Sequence, residues 1–353
     1  MKVLISRRST MPLHSSNYAH EWIPYCEALG LDYDVVDLLA VDNAIDLVRG
    51  YDILLWHFDN YDYAEMLEAR SILYSAAHMG VSTFPCFSDV WHFDDKVAEM
   101  YALQAVGAPI PRSHVFYDME HLRRSLANKT LDFPIVAKLR TGSGSHNVKL
   151  LRDEESLLTY AQQMFAEGFN PAPKALYKAS SHLRSAKSWK SFVAKLKRLP
   201  EFIRTRRRAG EFPNERGYVY LQEFVPNDGF DLKVVVLGNK ITGLYRPIRS
   251  HDFRASGGGA VAYDNNLLSS ELREDLFRIA DALGVQSIGY DVVINKDSGQ
   301  AYVIEISYGF SAQAIEGAGG YFDRQGVWHS EPLNTPKEIL NNLLARQREK
   351  IQE

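Results

Sequence analysis

Gly289-Tyr290-Asp291-Val292-Val293-Ile294 and Ala301-Tyr302-Val303-Ile304-Glu305-Ile306-Ser307 are two apolar runs joined by a polar stretch at 295–300. The pattern predicts a β-hairpin, because both runs are rich in β-branched and aromatic residues. Each strand carries one acid, Asp291 or Glu305. A carboxylate in apolar surroundings is costly unless a positive group meets it. Two acids on adjacent strands would converge on a divalent cation; the alternative is that each is solvated or paired with arginine.

The composition is that of an ordinary globular protein. The chain has 353 residues, of which 46% are hydrophobic and 24% are charged, which is enough for two or three substructures with cores of their own. Its two cysteines, Cys26 and Cys86, cannot build a disulfide framework and favour a reducing compartment. The first apolar run is too short for a signal peptide, and no run approaches the roughly 20 residues of a membrane span. We therefore expect a soluble, cytoplasmic protein.

The net charge of −4 conceals a basic segment. Residues 171–216 contain 13 Lys and Arg against three Glu, whereas the rest of the chain has 27 basic and 41 acidic residues. Apolar residues recur there at steps of three and four, which predicts two amphipathic basic helices broken near Pro200. Three uses stay open: packing on a neighbouring domain or a partner subunit, binding an anionic acceptor such as an acidic glycan or a phosphorylated carrier, and docking at an anionic membrane surface. No recognition motif supports nucleic acid.

Strand and helix signals alternate over residues 1–90, which predicts a parallel, doubly wound sheet. Ligands of such sheets bind beyond the carboxyl ends of the strands. One such end carries Arg7 and Arg8, which would hold an anionic substrate group or remain solvated. At the other end of the chain, residues 336–351 are predicted to form an exposed helix.

A lysine followed by a glycine-rich turn suggests a phosphate site. Lys138 ends a predicted strand, and the turn after it contains Ser143, Gly144 and Ser145. Backbone N–H groups in such a turn can point toward a phosphate, and the lysine would add a point charge. The turn is not a Walker loop, because the lysine precedes the glycines. The alternative is a plain hairpin turn.

Two later stretches fit the same interpretation. The strand at 220–224 leaves into a turn whose backbone would read an adenine edge, and Asp231 on the next strand would accept ribose hydroxyls. Arg246 and Arg254 precede three consecutive glycines, and guanidinium groups suit carboxylate and phosphate oxygens. Each stretch is weak evidence alone, since strand-end acids and loop arginines are common.

The order of these motifs resembles the ATP-grasp superfamily, and within it most closely the ribosomal-protein glutamate ligases and bacterial glutathione synthetases. The likeness covers about residues 85–340, while the first 85 residues fit only in pattern. It rests on nine stretches in order: Asp95-Lys96, 107–111, 136–138 with the glycine loop, Gln222-Glu223-Phe224, 229–233, Arg246, 253–254 with the glycines, 289–291 and 305–307.

The resemblance implies an α/β (α+β) architecture with the ATP-grasp fold and three domains. A doubly wound α/β domain would occupy residues 1–90. A linker helix and a small lid domain would occupy 91–220, with the basic helical insertion at about 171–216. The catalytic domain, which binds ATP and metal, would occupy 221–353.

The resemblance also implies which residues bind the nucleotide. The expected set is Lys96 and Lys138 at the phosphates, Ser143, Gly144 and Ser145 in the phosphate loop, Gln222, Glu223 and Val225 at the adenine hinge, and Asp231 with Lys233 at the ribose end. One member departs from the family pattern. Lys233 stands where the family tends to have arginine, so the charge is kept and the planar fork is lost.

The implied metal ligands are Asp291, Glu305 and Ser307, which would hold Mg²⁺, with Mn²⁺ as an alternative. Ser307 departs from the asparagine that is usual there. Its hydroxyl would ligate Mg²⁺ directly or, because the side chain is shorter, through a water. The implied catalytic residues are Arg246 at the acyl phosphate or transferred phosphoryl group, Arg254 on the acceptor side, and Lys138.

By resemblance the chain is an ATP-dependent carboxylate–amine ligase that forms an amide through an acyl phosphate and releases ADP and phosphate. Its expected partners are ATP, a carboxylate substrate and an amine acceptor, for example an amino acid with an anionic glycan or carrier, and the resemblance favours a homodimer. Two alternatives stay open. One is a kinase on the same scaffold, and the other is a non-catalytic nucleotide-binding module whose basic insertion docks a partner.

Overall fold

The chain divides into two units by its internal contacts. The structure, a computed structural model, describes residues 1–9, 17–60, 62–142, 145, 147–171, 212–248, 253–254 and 260–352. The first unit comprises residues 1–58, 67–111 and 225–353, and the second comprises 59–66 and 112–224. The α/β class is confirmed, while the three predicted domain boundaries stay a prediction. Most of the basic insertion lies outside the described residues.

The first unit begins with a four-stranded parallel sheet of order β2-β1-β3-β4. Its elements are β1 (Lys2–Ser6), α1 (Ala19–Ala28), β2 (Asp32–Val36), a 3₁₀ turn (Leu38–Ala40), α2 (Ala44–Val48), β3 (Ile53–Leu55), α3 (Tyr63–His78), β4 (Ser82–Phe84), α4 (Phe87–Val90) and α5 (Lys96–Ala105). The central strands read as unbroken apolar runs because both faces are buried: Val3, Leu4 and Ile5 are fully buried. The predicted parallel sheet is confirmed.

In its described residues, the second unit has an antiparallel sheet of order β5-β8-β6-β7 and two helices. Its elements are β5 (Ser113–Phe116), α6 (Met119–Ala127), β6 (Ile135–Lys138), β7 (Lys149–Leu151), α7 (Glu154–Phe165) and β8 (Val219–Glu223). Each helix begins at an aspartate whose carboxylate accepts from a first-turn N–H, Asp118 for α6 and Asp153 for α7. Such caps satisfy otherwise unpaired donors and fix where the helix starts.

A six-stranded antiparallel sheet of order β12-β11-β9-β10-β13-β14 completes the first unit. Its elements are β9 (Phe230–Leu237), β10 (Lys240–Pro247), a 3₁₀ turn (Asn265–Leu267), α8 (Ser270–Leu283), β11 (Ser287–Ile294), β12 (Ala301–Ser307), α9 (Ala312–Glu316), β13 (Tyr321–Asp323), β14 (Trp328–His329) and α10 (Thr335–Gln352). Residues such as Leu232, Val234 and Tyr290 form one core with Leu276 and Phe277 of α8. These residues cover one face of the sheet, and the other face carries Asp231 and Arg246 beside buried apolar side chains such as Val235 and Leu244.

The prediction that the C-terminal helix is exposed is wrong. Ile339, Leu340, Leu343 and Leu344 of α10 are buried, and the helix packs on α1 and β4. Their spacing makes an apolar stripe, which must be covered in a folded chain. Among the helices in the described residues, none combines the length and the apolarity needed to cross a bilayer.

A buried histidine makes the stability of the first unit sensitive to acid. His92 follows α4 and is 1% exposed, and burial lowers its pKa to about 4. An unfolded histidine titrates near 6.5, so the unfolded chain binds a proton that the folded chain refuses between these values. The stability linked to His92 is therefore complete above pH 6.5 and is lost as pH falls toward 4.

We predict that His92→Leu flattens this dependence. From pH 7 to pH 5, wild type should lose about 2 kcal/mol more unfolding free energy than the variant, because only wild type carries the titrating ring. Urea unfolding of both proteins at the two pH values measures this difference. Equal losses in the two proteins would show that His92 is not held neutral by burial.

Candidate active site

A row of charged side chains crosses four adjacent strands of the six-stranded sheet. Arg246 on β10 is the register partner of Asp231 on β9. Asp291 on β11 is the register partner of Lys233 on β9 and of Glu305 on β12. Opposed residues of antiparallel strands share a face, as do residues two apart on one strand. The structure therefore brings five of the predicted site residues together, on the face opposite the core.

Arg246 joins two of these carboxylates. Its Nε and Nη2 donate to Asp231 Oδ1 and Oδ2, both at 2.7 Å, and Nη2 also lies 2.8 Å from Asp291 Oδ2. Lys233 Nζ lies 2.9 Å from Asp291 Oδ1. Asp231 and Asp291 are 4% and 7% exposed. The two buried acids are thus matched by two cations, as buried charges require.

The two aspartates differ in proton affinity because they share these cations unequally. Burial raises the pKa of Asp231 to about 6, although Arg246 opposes the shift. Burial also acts on Asp291, but Arg246 and then Lys233 hold the pKa of that carboxyl well below its usual range. Of the pair, Asp291 is the permanently charged member, because two cations face it.

A β-bulge turns Glu305 toward this row. Val292 pairs with Val303, and the next pair is Asp291 with Glu305, so Ile304 is the additional residue of the bulge. Side chains alternate along a strand, and one extra residue reverses the faces that follow. Val303 consequently lies in the core, while Glu305 shares the face of Asp291.

Helix α5 brings Lys96 to Glu305. Asp95 caps the helix and accepts from two first-turn N–H groups, which fixes Lys96 at its first position. Lys96 is 5% exposed, and its Nζ lies 3.6 Å from Glu305 Oε1. The lysine expected at the ATP phosphates is therefore ion-paired with a predicted metal ligand.

The sequence interpretation missed Glu99, one turn further along α5. Glu99 is 2% exposed. Its Oε2 accepts a hydrogen bond of 3.1 Å from the N–H of Ile306, which lies on the edge strand β12. Burial, and next the charge of Glu305, raises the pKa of Glu99 well above its usual range. The available signal was an acid on the apolar face of a predicted helix.

Gly289 leaves room for Lys233 to reach Asp291. A Cβ at Gly289 would lie 3.1 Å from Lys233 Cε and 3.2 Å from Phe310 Cδ1. Such contacts are tighter than ordinary packing, so a side chain here would push the lysine away. Gly289, in the hairpin of β11 and β12, therefore supports the charged row because it has no side chain.

The third predicted metal ligand, Ser307, is held in a local turn. Its hydroxyl donates to the carbonyl of Gly309 at 2.8 Å and accepts from the N–H of Gly309 at 3.1 Å. These bonds satisfy the hydroxyl within the chain itself. Its role at a metal stays a prediction.

In the second unit, two predicted nucleotide residues contact each other. Lys138 Nζ donates to Gln222 Oε1 at 2.7 Å, across the adjacent strands β6 and β8. The two side chains are 6% and 5% exposed. A buried ammonium group needs acceptors around it, and Gln222 supplies one.

The other described members of the predicted set are Glu223, Val225, Ser145 and Arg254. Glu223 is exposed and Val225 is buried. Ser145 has a left-handed φ of 60°, and Arg254 lies 5.8 Å from the ring of Phe253. Ser143, Gly144, the glycines at 257–259 and nearly all of the basic insertion lie outside the described residues.

Of the two arginines after β1, Arg8 faces an acid. Arg8 Nη1 lies 3.3 Å from Asp37 Oδ1, and Ser9 donates to the other oxygen of the same carboxylate. This contact follows from the parallel pairing of β1 with β2. Arg8 is therefore already matched in charge, and the anionic substrate group expected there stays a prediction.

Solved structures with a similar fold cover nearly the whole chain. D-alanine–D-alanine ligase from Bacillus anthracis superimposes with a TM-score of 0.58 at 14% identity, covering 99% of this chain and 98% of that one. A RimK domain ATP-grasp protein from Sphaerobacter thermophilus gives 0.53 at 14% identity, over 98% of this chain and all of that one. The chain has the ATP-grasp fold.

A third solved structure and one protein related in sequence were also compared with the chain. The ATP-grasp ligase PsnB, solved with a minimal precursor, Mg and ADP, gives a TM-score of 0.52 at 14% identity, over 98% of both chains. The tetrahydromethanopterin:alpha-L-glutamate ligase of Methanosarcina acetivorans is 29% identical over 142 residues, which are 37% of this chain and 42% of that protein. The match thus spans less than half of that relative. No family model matches the chain.

Proposed function

We propose that the protein is an ATP-dependent carboxylate–amine ligase that makes an amide through an acyl phosphate. The observation that carries this proposal is the charged row Arg246–Asp231–Lys233–Asp291–Glu305, on one face of an ATP-grasp sheet. Burial makes these charges expensive. A site that stabilises charge developing on phosphate and acyl oxygens explains why the fold retains them.

The donor set fits Mg²⁺. Asp291 and Glu305 face each other across β11 and β12, and both offer carboxylate oxygens, which Mg²⁺ prefers. Within the described residues, no three His, Cys, Asp or Glu side chains form a metal cluster. The pair of facing carboxylates suits Mg²⁺, which usually takes one or two carboxylates together with phosphates and water. When bound, the ion would neutralise phosphate charge and act as a Lewis acid; Mn²⁺ has the same ligand preference.

The proposed reaction has two steps. A carboxylate oxygen of the substrate attacks the γ-phosphorus of ATP, the bond to the β–γ bridging oxygen breaks, and ADP leaves. An amine nitrogen then attacks the acyl carbon, the carbon–oxygen bond to phosphate breaks, and the nitrogen loses a proton. Arg246 would hold the phosphoryl and acyl oxygens, and Arg254 the acceptor. Both steps depend on positioning and on fixed positive charge rather than on a protein nucleophile.

The nucleotide roles extend this proposal. Lys96 and Lys138 would contribute charge at the phosphates, and the N–H groups of Ser143, Gly144 and Ser145 would bind phosphate oxygens. The strand end at Gln222, Glu223 and Val225 would meet the adenine, and Asp231 with Lys233 the ribose end. The contacts of these two buried lysines support the roles: Lys96 is ion-paired with Glu305, and Lys138 donates a hydrogen bond to Gln222.

We also propose the classes of substrate. One relative is named a glutamate ligase, which supports an amino acid as one substrate. The excess of 13 basic over three acidic residues at 171–216 supports an anionic acceptor or carrier. A homodimer is proposed from the resemblance alone.

Isotope transfer tests this function. Candidate amino acids and sugar acids, with ¹⁸O in the carboxylate, are incubated with ATP, Mg²⁺ and an amine. We expect ADP release to require both substrates and one ¹⁸O to appear in the released phosphate, because the attacking oxygen leaves with phosphorus. Transfer of the phosphoryl group to a substrate hydroxyl, with ADP released in the absence of an amine, would instead identify the kinase. ATP binding without turnover would identify the non-catalytic module.

A further inference from the structure

One carboxylate in the second unit collects four hydrogen-bond donors at the start of the glycine loop. Glu215 Oε2 accepts from the N–H of Arg140 at 3.0 Å, and Oε1 accepts from the N–H of Thr141 at 3.1 Å. The hydroxyls of Thr141 and Tyr218 donate to the same two oxygens. An ionised carboxylate only accepts hydrogen bonds, and its two oxygens have room for these four donors. A single side chain therefore fixes Arg140 and Thr141, the second and third residues after β6.

The backbone of Glu215 is held independently of that loop. Glu215 exchanges both N–H···O bonds with Phe169, at 3.0 and 2.9 Å, just beyond α7. Gly168 makes this approach possible, because a Cβ there would lie 2.0 Å from the carbonyl oxygen of Glu215. Gly168 also has a φ of 71°, which favours glycine. The carboxylate is therefore anchored to α7 and reaches across to the loop.

The Tyr218 hydroxyl reinforces this contact. It donates to Glu215 and also accepts from the N–H of Arg140 at 2.7 Å. Burial, followed by the nearby charge of Glu215, raises the pKa of Tyr218 above its usual range, so the hydroxyl stays protonated and able to donate. Arg140 N–H is thus shared by two acceptors, and its direction is fixed.

We propose that Glu215 is a positioning residue for the phosphate loop. It occupies the N–H groups of Arg140 and Thr141, which would otherwise bind an anion themselves. The phosphate is thereby directed to the N–H groups further along the loop, and the loop leaves β6 in one direction. This inference rests on the proposed binding of ATP, although the contact itself exists without nucleotide.

The exchange of Glu215 for glutamine separates this role from simple packing. Glu215→Gln keeps the size and shape of the side chain. Its NH₂ group, however, must face a backbone N–H that previously met an oxygen, so one of the four hydrogen bonds becomes a donor–donor contact, and the hydroxyl beside it must rotate to accept. Glu167→Gln is the matched control, because Glu167 is an exposed acid just beyond the end of α7.

Hydrogen exchange in the full-length protein without nucleotide is the first measurement. We expect the amides of Arg140 and Thr141 to exchange at least about 10-fold faster in Glu215→Gln than in wild type. Glu167→Gln should exchange like wild type. Unchanged protection in Glu215→Gln would overturn the contact, whatever the protein does with ATP.

The second measurement is the affinity for ATP, determined by calorimetry in the absence of the other substrates. We expect Glu215→Gln to raise the Kd at least about 10-fold and Tyr218→Phe, which removes one donor, to raise it less. Faster exchange with wild-type affinity would overturn the positioning role. If wild type binds no ATP, the proposed function and this role fall together, while the exchange result still judges the contact.

Discussion

Glu305→Gln is expected to abolish ATP turnover while leaving the fold intact. The change keeps the shape of the side chain and removes one of the two facing carboxylates of the charged row. Loss of one preorganised electrostatic group in an active site costs about 1000-fold in kcat. The far-ultraviolet circular dichroism spectrum should match wild type, because Glu305 is partly exposed and lies outside the core cluster.

Glu316→Gln is the control for this experiment, since Glu316 is an exposed acid on the neighbouring helix α9. Coupled ADP assays measure turnover, and thermal unfolding with and without Mg-ATP measures binding separately. We expect Mg-ATP to stabilise wild type and Glu316→Gln much more than Glu305→Gln. Wild-type turnover in Glu305→Gln would refute the metal assignment.

Arg246→Ala is expected to destabilise the protein by about 3–5 kcal/mol at pH 7, because it leaves buried acids without their shared cation. Arg246 contacts both Asp231 and Asp291, at 2.7 and 2.8 Å, and all three side chains are at most 18% exposed. Arg246→Lys should recover only part of the loss, since lysine keeps the charge but cannot bridge two carboxylates through a planar fork. Urea unfolding at pH 7 measures each change.

Arg324 provides a matched control on the surface. It also meets one aspartate through two short bonds, to Asp281 at 2.7 and 2.6 Å, but these side chains are 38% and 57% exposed. Exposed pairs contribute at most about 1 kcal/mol, so Arg324→Ala should cost less than that. The Arg246→Ala deficit should also shrink toward pH 5, as protonation relieves the unpaired acids. Equal costs for the two alanine variants would argue against a buried charge network.

Much of the fold was readable from local pattern. The strands predicted to alternate with helices over residues 1–90 form the parallel sheet with its helices, and the hairpin predicted around Asp291 and Glu305 is β11 with β12. Both have strong periodicity and clear flanking turns, which are the signals that sequence carries best. The short elements α9, β13 and β14 were not predicted, because two to five residues carry too little periodicity.

Five of the predicted site residues lie together in the structure, but the contacts among them were not predicted. The partnership of Arg246 with two acids depends on strand order, since β9 lies between β10 and β11. The bulge at Ile304 places Val303 in the core and Glu305 on the opposite face of the sheet. No local rule supplies either fact, because both follow from packing between distant segments.

Glu215 is the clearest case of a residue that was misread. In the sequence it counts as one of three acids in a basic segment, whereas in the structure it binds a loop 74 residues earlier. Long-range contacts of this kind leave no trace in composition or spacing. The sequence alone therefore does not distinguish Glu215 from the other two glutamates of residues 171–216.

The paired backbones of Phe169 and Glu215 have an evolutionary consequence. Asn170 also bonds to the carbonyl of Phe212 at 3.0 Å, so both ends of the intervening stretch are brought together beside α7. Closing such a stretch costs only slightly more as it lengthens, and surface insertions are tolerated where their ends already meet. The stretch between residues 170 and 212 can therefore change in length and charge during evolution without altering the four-stranded sheet of the second unit.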